Sequence, residues 1–298
     1  MYTRRSFIQT LSLGAAGTLI LPQMLTRVFA GQKPFFKISL AEWSLHRTLR
    51  AGKLDHMDFP KVARQTYGID AVEYVNQFFK DKARDKTYLK ELKQRTEDLG
   101  VHNVLIMIDG EGDLADTAGE TRREQAVEQH YKWVEAAAFL GCHAIRVNLR
   151  GKGSREAMGH AAVSSLRKLS DFARDYQIEI LVENHGGLSS DGKWLSGVLK
   201  EVDSAYCGSL PDLGNFYEYD RYQGVTELMP FAAGVSAKTH DFDAQGNETQ
   251  VDYARMLNII KAAGYKGYIG IEYEGDSLSE DAGIIATRNL LQRLGQII

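Results

Sequence analysis

Short apolar runs recur along the chain and are separated by longer segments in which apolar and polar residues are mixed. Runs that are apolar on both faces are typical of parallel strands buried between other elements. Turn residues and charged stretches divide the runs from one another. The predicted strands span 35–40, 70–75, 102–108, 144–149, 178–184, 207–213, 234–240 and 267–273.

The intervening segments carry helical periodicity. In segment 124–140, Val127, Tyr131, Val134 and Phe139 recur at roughly helical spacing, and Gly141 follows as a usual C-terminal cap. Helices are predicted at 59–67, 86–99, 124–140, 157–176, 193–202, near 226, at 252–263 and at 279–294. Strict alternation of eight strands with eight helices predicts an α/β fold, a (β/α)8 TIM barrel in a single domain. A doubly wound open sheet is disfavoured because no GxGxxG follows the first strand.

The first thirty residues read as a targeting segment rather than as part of the fold. A twin-arginine sequence, Arg4-Arg5, precedes a short run rich in Gly, Ala and Leu, and Val28-Phe29-Ala30 resembles a cleavage site. These features predict a Tat-type export signal over 1–30, a barrel over 31–298 and a periplasmic location. The run is too short for a spanning helix, so no stable membrane span is expected after signal removal. An uncleaved, membrane-associated helix is the alternative.

Composition and net charge limit the classes of partner that this chain is expected to bind. The chain has 298 residues with 25% charged residues and a net charge of −3. No long basic stripe is present, so we expect no nucleic-acid partner. Composition leaves open whether the chain forms a homo-oligomer.

Four polar residues stand at the ends of the last four predicted strands. Glu183, Asp212, His240 and Glu272 are separated by 29, 28 and 32 residues, about the length of one strand–helix unit. The carboxyl ends of barrel strands converge on one mouth, so these side chains should meet there. Three crowded carboxylates repel one another unless a cation neutralises them. Oxygen and nitrogen ligands of this kind suit one divalent ion: Mn, Mg, Co or Zn.

The same ordered motifs resemble a known family. ENH after the fifth strand, PDLGN after the sixth, KTH after the seventh and IEYEG after the eighth are similar to the xylose isomerase-like TIM barrel family. This family is also called the sugar phosphate isomerase/epimerase or AP endonuclease family 2 superfamily. The resemblance covers about Phe35 to Ile298 and is more specific for the family than for the reaction.

The resemblance implies a mechanism. In its ketose epimerase branch, the four strand-end residues bind a Mn-type ion, and the positions of Glu183 and Glu272 also exchange protons with the sugar. This chain carries Asn215 where ketose 3-epimerases usually have a histidine, and Asp241-Phe242-Asp243 where an arginine tends to follow. A phosphate site is not expected, because the sequence has no Gly-rich loop at a helix start with a basic residue nearby. The expected ligand is therefore a small, unphosphorylated sugar or sugar derivative, and the expected enzyme is a metal-dependent sugar isomerase or epimerase.

Other residues near the mouth are candidates for substrate contact. His185 lies two residues after Glu183 and should point the same way. Lys238 could contact a substrate oxygen or pair with a ligand carboxylate, and Arg150 is interpreted as a surface charge. The predicted substrate-binding residues are His185, Asn215, Lys238, Trp43, Glu73 and Asn148.

Two alternative functions stay open at this point. The same carbon-acid chemistry would serve a lyase or hydratase that acts on a keto-sugar or glycoside by β-elimination. A non-catalytic sugar-binding protein on the same scaffold is the other alternative. Retention of all four ligand positions argues against it, because sugar binding alone needs no such cluster.

Overall fold

The computed structural model describes residues 33–298, so the predicted export signal lies outside the described residues and stays a prediction. Eight strands alternate with helices along this part of the chain. The strands are β1 (Lys37–Ala41), β2 (Ala71–Val75), β3 (His102–Met107), β4 (Ala144–Asn148), β5 (Glu179–Glu183), β6 (Cys207–Leu210), β7 (Val235–Thr239) and β8 (Tyr268–Tyr273).

The helices pack around this sheet. They are α1 (His46–Arg50), α2 (Phe59–Thr66), α3 (Lys86–Leu99), α4 (Glu120–Leu140), α5 (Arg155–Arg174), α6 (Gly192–Val202), α7 (Arg221–Leu228), α8 (Tyr253–Ala262) and α9 (Glu280–Ile297). Helix α1 is a short addition to the predicted set, and α4 begins four residues earlier than predicted. Gly141 ends α4 in a left-handed conformation (φ 81°), as its position in the sequence predicts.

All strand pairs are parallel, in the order β6-β5-β4-β3-β2-β1-β8-β7. The ring is nearly closed, because β6 and β7 are joined only by isolated bridges, one of them between Asp212 and Ser236. There the Ser236 amide donates to the Pro211 carbonyl, and the Leu213 amide donates to the Ser236 carbonyl. Pro211 has no amide hydrogen to donate, which fits an interrupted ladder at this seam. The fold confirms the predicted single-domain TIM barrel.

Asp212, one of the strand-end residues, lies at this seam. Within residues 33–298, none of the helices is both long and apolar enough to cross a bilayer.

Candidate functional site

Three of the four predicted ligands meet at the carboxyl end of the barrel. Glu183 is the last residue of β5, Asp212 follows β6 by two residues and Glu272 lies near the end of β8. One carboxylate oxygen from each lies within 4.8 Å of the others. All three side chains are buried, with at most 4% of their surface exposed. The barrel geometry thus gathers three residues that are far apart in the sequence.

Asp212 is fixed by its surroundings. The Asn184 side chain donates to the Asp212 carbonyl (2.9 Å) and accepts from the Asp212 amide (2.7 Å). Oδ1 of Asp212 accepts from the backbone amides of Gly214 (2.7 Å) and Asn215 (2.9 Å). These bonds leave Oδ2 directed toward the cluster.

Ser236 links two of the carboxylates. Its hydroxyl lies 3.0 Å from Asp212 Oδ2 and 2.7 Å from Glu272 Oε2. A hydroxyl has one hydrogen, so it can donate to only one of the two at a time. The pair is therefore not fully satisfied by hydrogen bonds from Ser236.

Lys238 lies within the carboxylate cluster. Its Nζ is 3.5 Å from Asp212 Oδ2, 3.2 Å from Glu272 Oε1 and 3.2 Å from Glu274 Oε1. The side chain is buried, so these contacts are little screened by solvent. Of the two roles that the sequence left open for Lys238, the structure displays the pairing with ligand carboxylates.

Arg146 provides a second buried cation on the other side of the cluster. Its Nε lies 2.8 Å from Glu183 Oε2, and its Nη1 donates to Asp109 Oδ1 at 2.9 Å. The Nε–Glu183 contact is an ion pair without hydrogen-bond geometry, so Glu183 Oε2 makes no hydrogen bond. The Asn215 side chain donates to the other oxygen of Glu183 at 3.1 Å. Glu183 is thus held from two sides and keeps one oxygen without a hydrogen-bond donor.

Negative charge exceeds positive charge at this site. Five carboxylates surround two cations, which leaves an excess of three negative charges when every group is ionised: Asp109, Glu183, Asp212, Glu272 and Glu274 against Arg146 and Lys238. Such an excess in a low-dielectric interior is unfavourable unless protons or a cation bind.

The pKa values follow from this environment. Burial raises the pKa of Glu183 to about 7, against the opposing effect of Arg146. Burial likewise raises the pKa of Asp212 to about 7, although Lys238 opposes it. For Glu272 burial is outweighed, and Lys238 and the Ser236 hydroxyl hold its pKa below the usual range. Without a metal, protons therefore neutralise part of the cluster near pH 7.

The cluster fits a divalent cation. Carboxylate oxygens are the ligands that hard divalent ions prefer, and three of them converge here. Among residues 33–298, no donor meets the buried Glu183 Oε2 with hydrogen-bond geometry, although Arg146 Nε lies 2.8 Å from it. An entering ion would have to displace the Lys238 ammonium from Asp212 and Glu272, and it would compete with Arg146 for Glu183.

His240, the fourth predicted ligand, lies at the edge of this arrangement. It directly follows β7, is half-buried, and its backbone amide donates to Glu248 Oε1 at 3.4 Å. Among residues 33–298, the ring nitrogens of His240 do not belong to the closely grouped ligand atoms. A Cβ at Gly275 would collide with the His240 carbonyl, so a glycine lets the β8 loop pass over this residue. Its role as a ligand stays a prediction.

A cavity of about 460 Å³ reaches the cluster at Glu272. Three of the predicted substrate-binding residues line it: Trp43, Asn148 and His185. Burial, assisted by nearby Arg146, lowers the pKa of His185, so its ring is neutral and accepts a hydrogen bond from Arg150 (3.1 Å). Arg150 also lines the cavity, so its interpretation as a mere surface charge is incomplete.

Glu73 lies inside the barrel rather than along the cavity wall. It is 2% exposed, and its Oε1 accepts a hydrogen bond from Ser39 Oγ at 2.5 Å. Its carboxylate packs against Gly270, where a Cβ would come within 2.5 Å of both oxygens. Burial raises its pKa to about 7. In this position Glu73 contacts Ser39 and Gly270 inside the barrel, below the residues that line the cavity.

Sequence reasoning missed Asp109, Arg146 and Glu274. Asp109 follows β3 by two residues, and the strand-end rule that selected Glu183 would also have found it. Arg146 is a charged residue within an otherwise apolar buried strand and precedes Asn148 by two residues, on the same face. That pattern is a usable signal, because a buried charge is retained only when it is paired.

The fold and the acidic cluster at its mouth define a class of TIM-barrel proteins with a candidate metal site. The sequence profile of the xylose isomerase-like TIM barrel family matches residues 61–294, so the chain belongs to that family, as its motifs predicted.

One relative shares a short segment with this chain. The C-glycoside deglycosidase alpha subunit of Arthrobacter globiformis is 35% identical over 54 residues, which are 18% of this chain and 15% of that protein. The chain therefore matches only a small part of this relative.

Several solved structures share the whole fold. A D-tagatose 3-epimerase-like protein is 20% identical with a TM-score of 0.70, over 88% of this chain and 98% of that one. A xylose isomerase-like TIM barrel protein from Mycobacterium smegmatis, in complex with magnesium, is 16% identical with a TM-score of 0.65, over 89% and 99%. The 3-keto-D-glucoside 4-epimerase of E. coli is 16% identical with a TM-score of 0.64, over 88% and 100%. At these identities the likeness establishes the shared fold.

Proposed function

We propose that this protein is a divalent-metal-dependent sugar isomerase or epimerase that acts on an unphosphorylated carbohydrate. The observation that carries the proposal is the buried cluster of Glu183, Asp212 and Glu272, of which Glu272 lines a polar cavity. Names of structural neighbours support it, since two of them are described as a sugar epimerase or epimerase-like protein. The magnesium complex of a third neighbour is consistent with a metal site in this fold.

Glu183, Asp212 and Glu272 would hold the ion, with His240 as the predicted fourth ligand. A divalent ion supplies a Lewis acid that makes a C–H bond beside a sugar carbonyl more acidic. The manganese preference inferred from the resemblance belongs to this proposal, with magnesium, cobalt and zinc as alternatives.

Glu183 and Glu272 are the proposed proton-transfer groups. One carboxylate removes the proton from the carbon beside the carbonyl, and the electron pair of that C–H bond moves into an enediolate. The other carboxyl returns a proton to the opposite face of the same carbon, which inverts it. Arg146 and Asn215 hold Glu183 in place during this exchange.

The charge of the cavity favours an unphosphorylated ligand. Its walls carry five acidic residues against two arginines: Asp109, Glu111, Asp113, Glu272 and Glu274 against Arg146 and Arg150. A phosphate dianion would be repelled by this excess. Neutral sugar hydroxyls can instead donate to the carboxylates and accept from Asn148 and the arginines.

A second candidate function is a lyase that expels a leaving group from a keto-sugar or glycoside by β-elimination. The short similarity to a C-glycoside deglycosidase subunit favours it. Both reactions begin with the same proton removal. They differ in whether the enediolate is reprotonated or loses a substituent.

The deciding experiment is incubation of metal-loaded protein in deuterated water with a panel of free, oxidised and glycosidic sugars, followed by NMR. An epimerase incorporates deuterium at the inverted carbon and releases no leaving group. A lyase releases the leaving group, with no epimer. Protein stripped of metal by chelation is the control, and equal turnover before and after stripping would contradict the metal-dependent proposal.

A further inference from the structure

A second cavity is lined in part by the loop that follows β5. It has a volume of about 530 Å³, and its walls include Leu188, Asp191, Arg155, Tyr217 and Tyr219. Leu188 is three residues beyond His185, which lines the first cavity. The two cavities therefore share one loop of the barrel mouth, and the second holds none of the predicted metal ligands.

Tyr217 is the most distinctive residue of this second cavity. Its side chain is 72% exposed, more than any other exposed large hydrophobic residue among 33–298, including Ile297 at 62%. The ring lies beside the backbone of Gly186, where a Cβ would be 3.9 Å from Tyr217 Cε2. An aromatic face presented to solvent at a barrel mouth is suited to stack on a ligand.

Tyr217 is also connected to the proposed reaction centre. Its hydroxyl donates to Asn215 Oδ1 at 3.1 Å, and the Asn215 amide donates to Glu183 Oε1 at 3.1 Å. Asn215 itself is buried, and its carbonyl accepts from Ser190 Oγ at 2.6 Å. The exposed ring is therefore fixed at one end, two hydrogen bonds away from a proposed proton-transfer carboxylate.

Polar groups line the wall of the second cavity. Arg155 Nη2 lies 2.7 Å from Asp191 Oδ2, and half of the Arg155 side chain is exposed. The other oxygen of Asp191 caps helix α6 through the Trp194 amide at 2.9 Å. A guanidinium carries five N–H donors, so Arg155 keeps donors free for neighbouring hydroxyl groups of a ligand.

We propose that this second cavity is a carbohydrate subsite, and that the substrate is a glycoside of at least two sugar units. The reacting sugar occupies the first cavity, which Glu272 lines, and the second sugar ring stacks on Tyr217 while its hydroxyls meet Arg155. The C–H face of a pyranose is apolar and its edge is polar, which matches an aromatic platform beside an arginine. This inference rests on the proposed function, since that function places the reacting sugar over the cluster.

Calorimetric titration of the full chain with matched sugars tests the subsite. The probes are glucose against cellobiose, xylose against xylobiose and galactose against galactobiose, with metal-loaded protein. We expect at least one disaccharide to bind tenfold or more tightly than its monosaccharide. Tyr217→Ala should reduce this ratio to about one, because one stacked aromatic contact contributes about that much.

Two further variants separate stacking from other causes. Tyr217→Phe keeps the ring and loses the bond to Asn215, so it should retain most of the disaccharide preference. Arg155→Ala should lower disaccharide affinity and spare monosaccharide affinity. The subsite is overturned if wild type prefers no disaccharide of the panel, if Tyr217→Ala keeps the preference, or if Tyr217→Phe loses it as fully as the alanine variant. Thermal unfolding of each variant verifies that it is folded.

The proposed reaction and the proposed subsite can be rejected independently of each other. A disaccharide preference that depends on Tyr217, without deuterium incorporation or leaving-group release from any sugar, would keep the subsite and reject the proposed reaction. Deuterium incorporation into monosaccharides at rates independent of Tyr217, without disaccharide preference, would keep the reaction and reject the subsite.

Discussion

The ammonium of Lys238 lies 3.2 Å from the carboxylate of Glu272, and both side chains are at most 5% exposed. The same ammonium reaches Asp212 and Glu274. Lys238 thus provides the positive charge that two of the proposed metal ligands share in the absence of a metal. Metal binding and the position of this lysine should be coupled.

Replacement of Lys238 by Met should tighten divalent-ion binding by at least about tenfold, or about 1.4 kcal/mol, because a competing positive charge is removed. The same change should destabilise the metal-free protein by about 3–5 kcal/mol, since buried carboxylates lose their partner. Calorimetric titration with Mn and denaturant unfolding measure the two effects.

Lys132→Met is the matched control for the lysine. Lys132 lies 3.0 Å from Glu111 and does not contact the cluster, so metal affinity should stay the same. An unchanged affinity in Lys238→Met would show that this lysine does not compete with the ion.

Replacement of Asp212 by Ala should abolish stoichiometric metal binding. Asp212 contributes a carboxylate oxygen to the group of three and is held by four hydrogen bonds from and to its backbone and side chain. Elemental analysis after dialysis measures the bound ion. Asp98→Ala, at an exposed position on α3, removes the same charge elsewhere and should bind metal as wild type does. Full metal content in Asp212→Ala would remove this residue from the site.

The stability of the metal-free protein should fall as pH rises from about 5 to about 7. In the folded state Glu183 and Asp212 have pKa values of about 7, whereas unfolded carboxyls titrate near pH 4. Between these values the folded state binds more protons than the unfolded state, so the free energy of unfolding decreases with pH. Each group contributes at most about 1.4 kcal/mol per pH unit.

Metal should reverse this trend, because the ion replaces the protons that ionisation removes. The increase in melting temperature on adding Mn should therefore grow from pH 5 to pH 8. Thermal unfolding with and without Mn measures both slopes, and Asp212→Asn should flatten the metal-free slope. A metal-free melting temperature that rises steadily over this range would argue against the raised pKa values.

Replacement of Glu272 by Gln should lower turnover by more than about a hundredfold, roughly 3 kcal/mol of barrier, because an amide cannot accept the proton. Solvent exchange of substrate hydrogen should survive from one epimer only, the one that faces Glu183. Metal content is measured in the same variant, since loss of charge also weakens the ion. A metal-replete variant that interconverts both epimers at the wild-type rate would rule out the two-glutamate mechanism.

The fold could be predicted from the sequence because each strand and helix is indicated by a local pattern of apolar residues. A strand buried on both faces must be apolar along its length, so each barrel strand, such as β5 or β8, is visible as a short run. The strand-end rule then predicted that Glu183, Asp212 and Glu272 would converge, since parallel strands in a closed ring end on one side. The structure gathers these three carboxylates as expected.

Tertiary structure alone decided which cations neutralise the carboxylate cluster and which side chains surround it. The sequence left two roles open for Lys238. It offered no reason to pair Arg146 with Glu183, because such pairs depend on the register and the side-chain directions of neighbouring strands. The placement of His240 and Tyr217 depends on loops from other units, which pack over the strand ends in three dimensions. Periodicity along the chain specifies which residues are buried and at which strand end they lie. Contacts between residues 30 to 90 positions apart form only when the strands pair in register and the loops pack over them, and no local pattern encodes them.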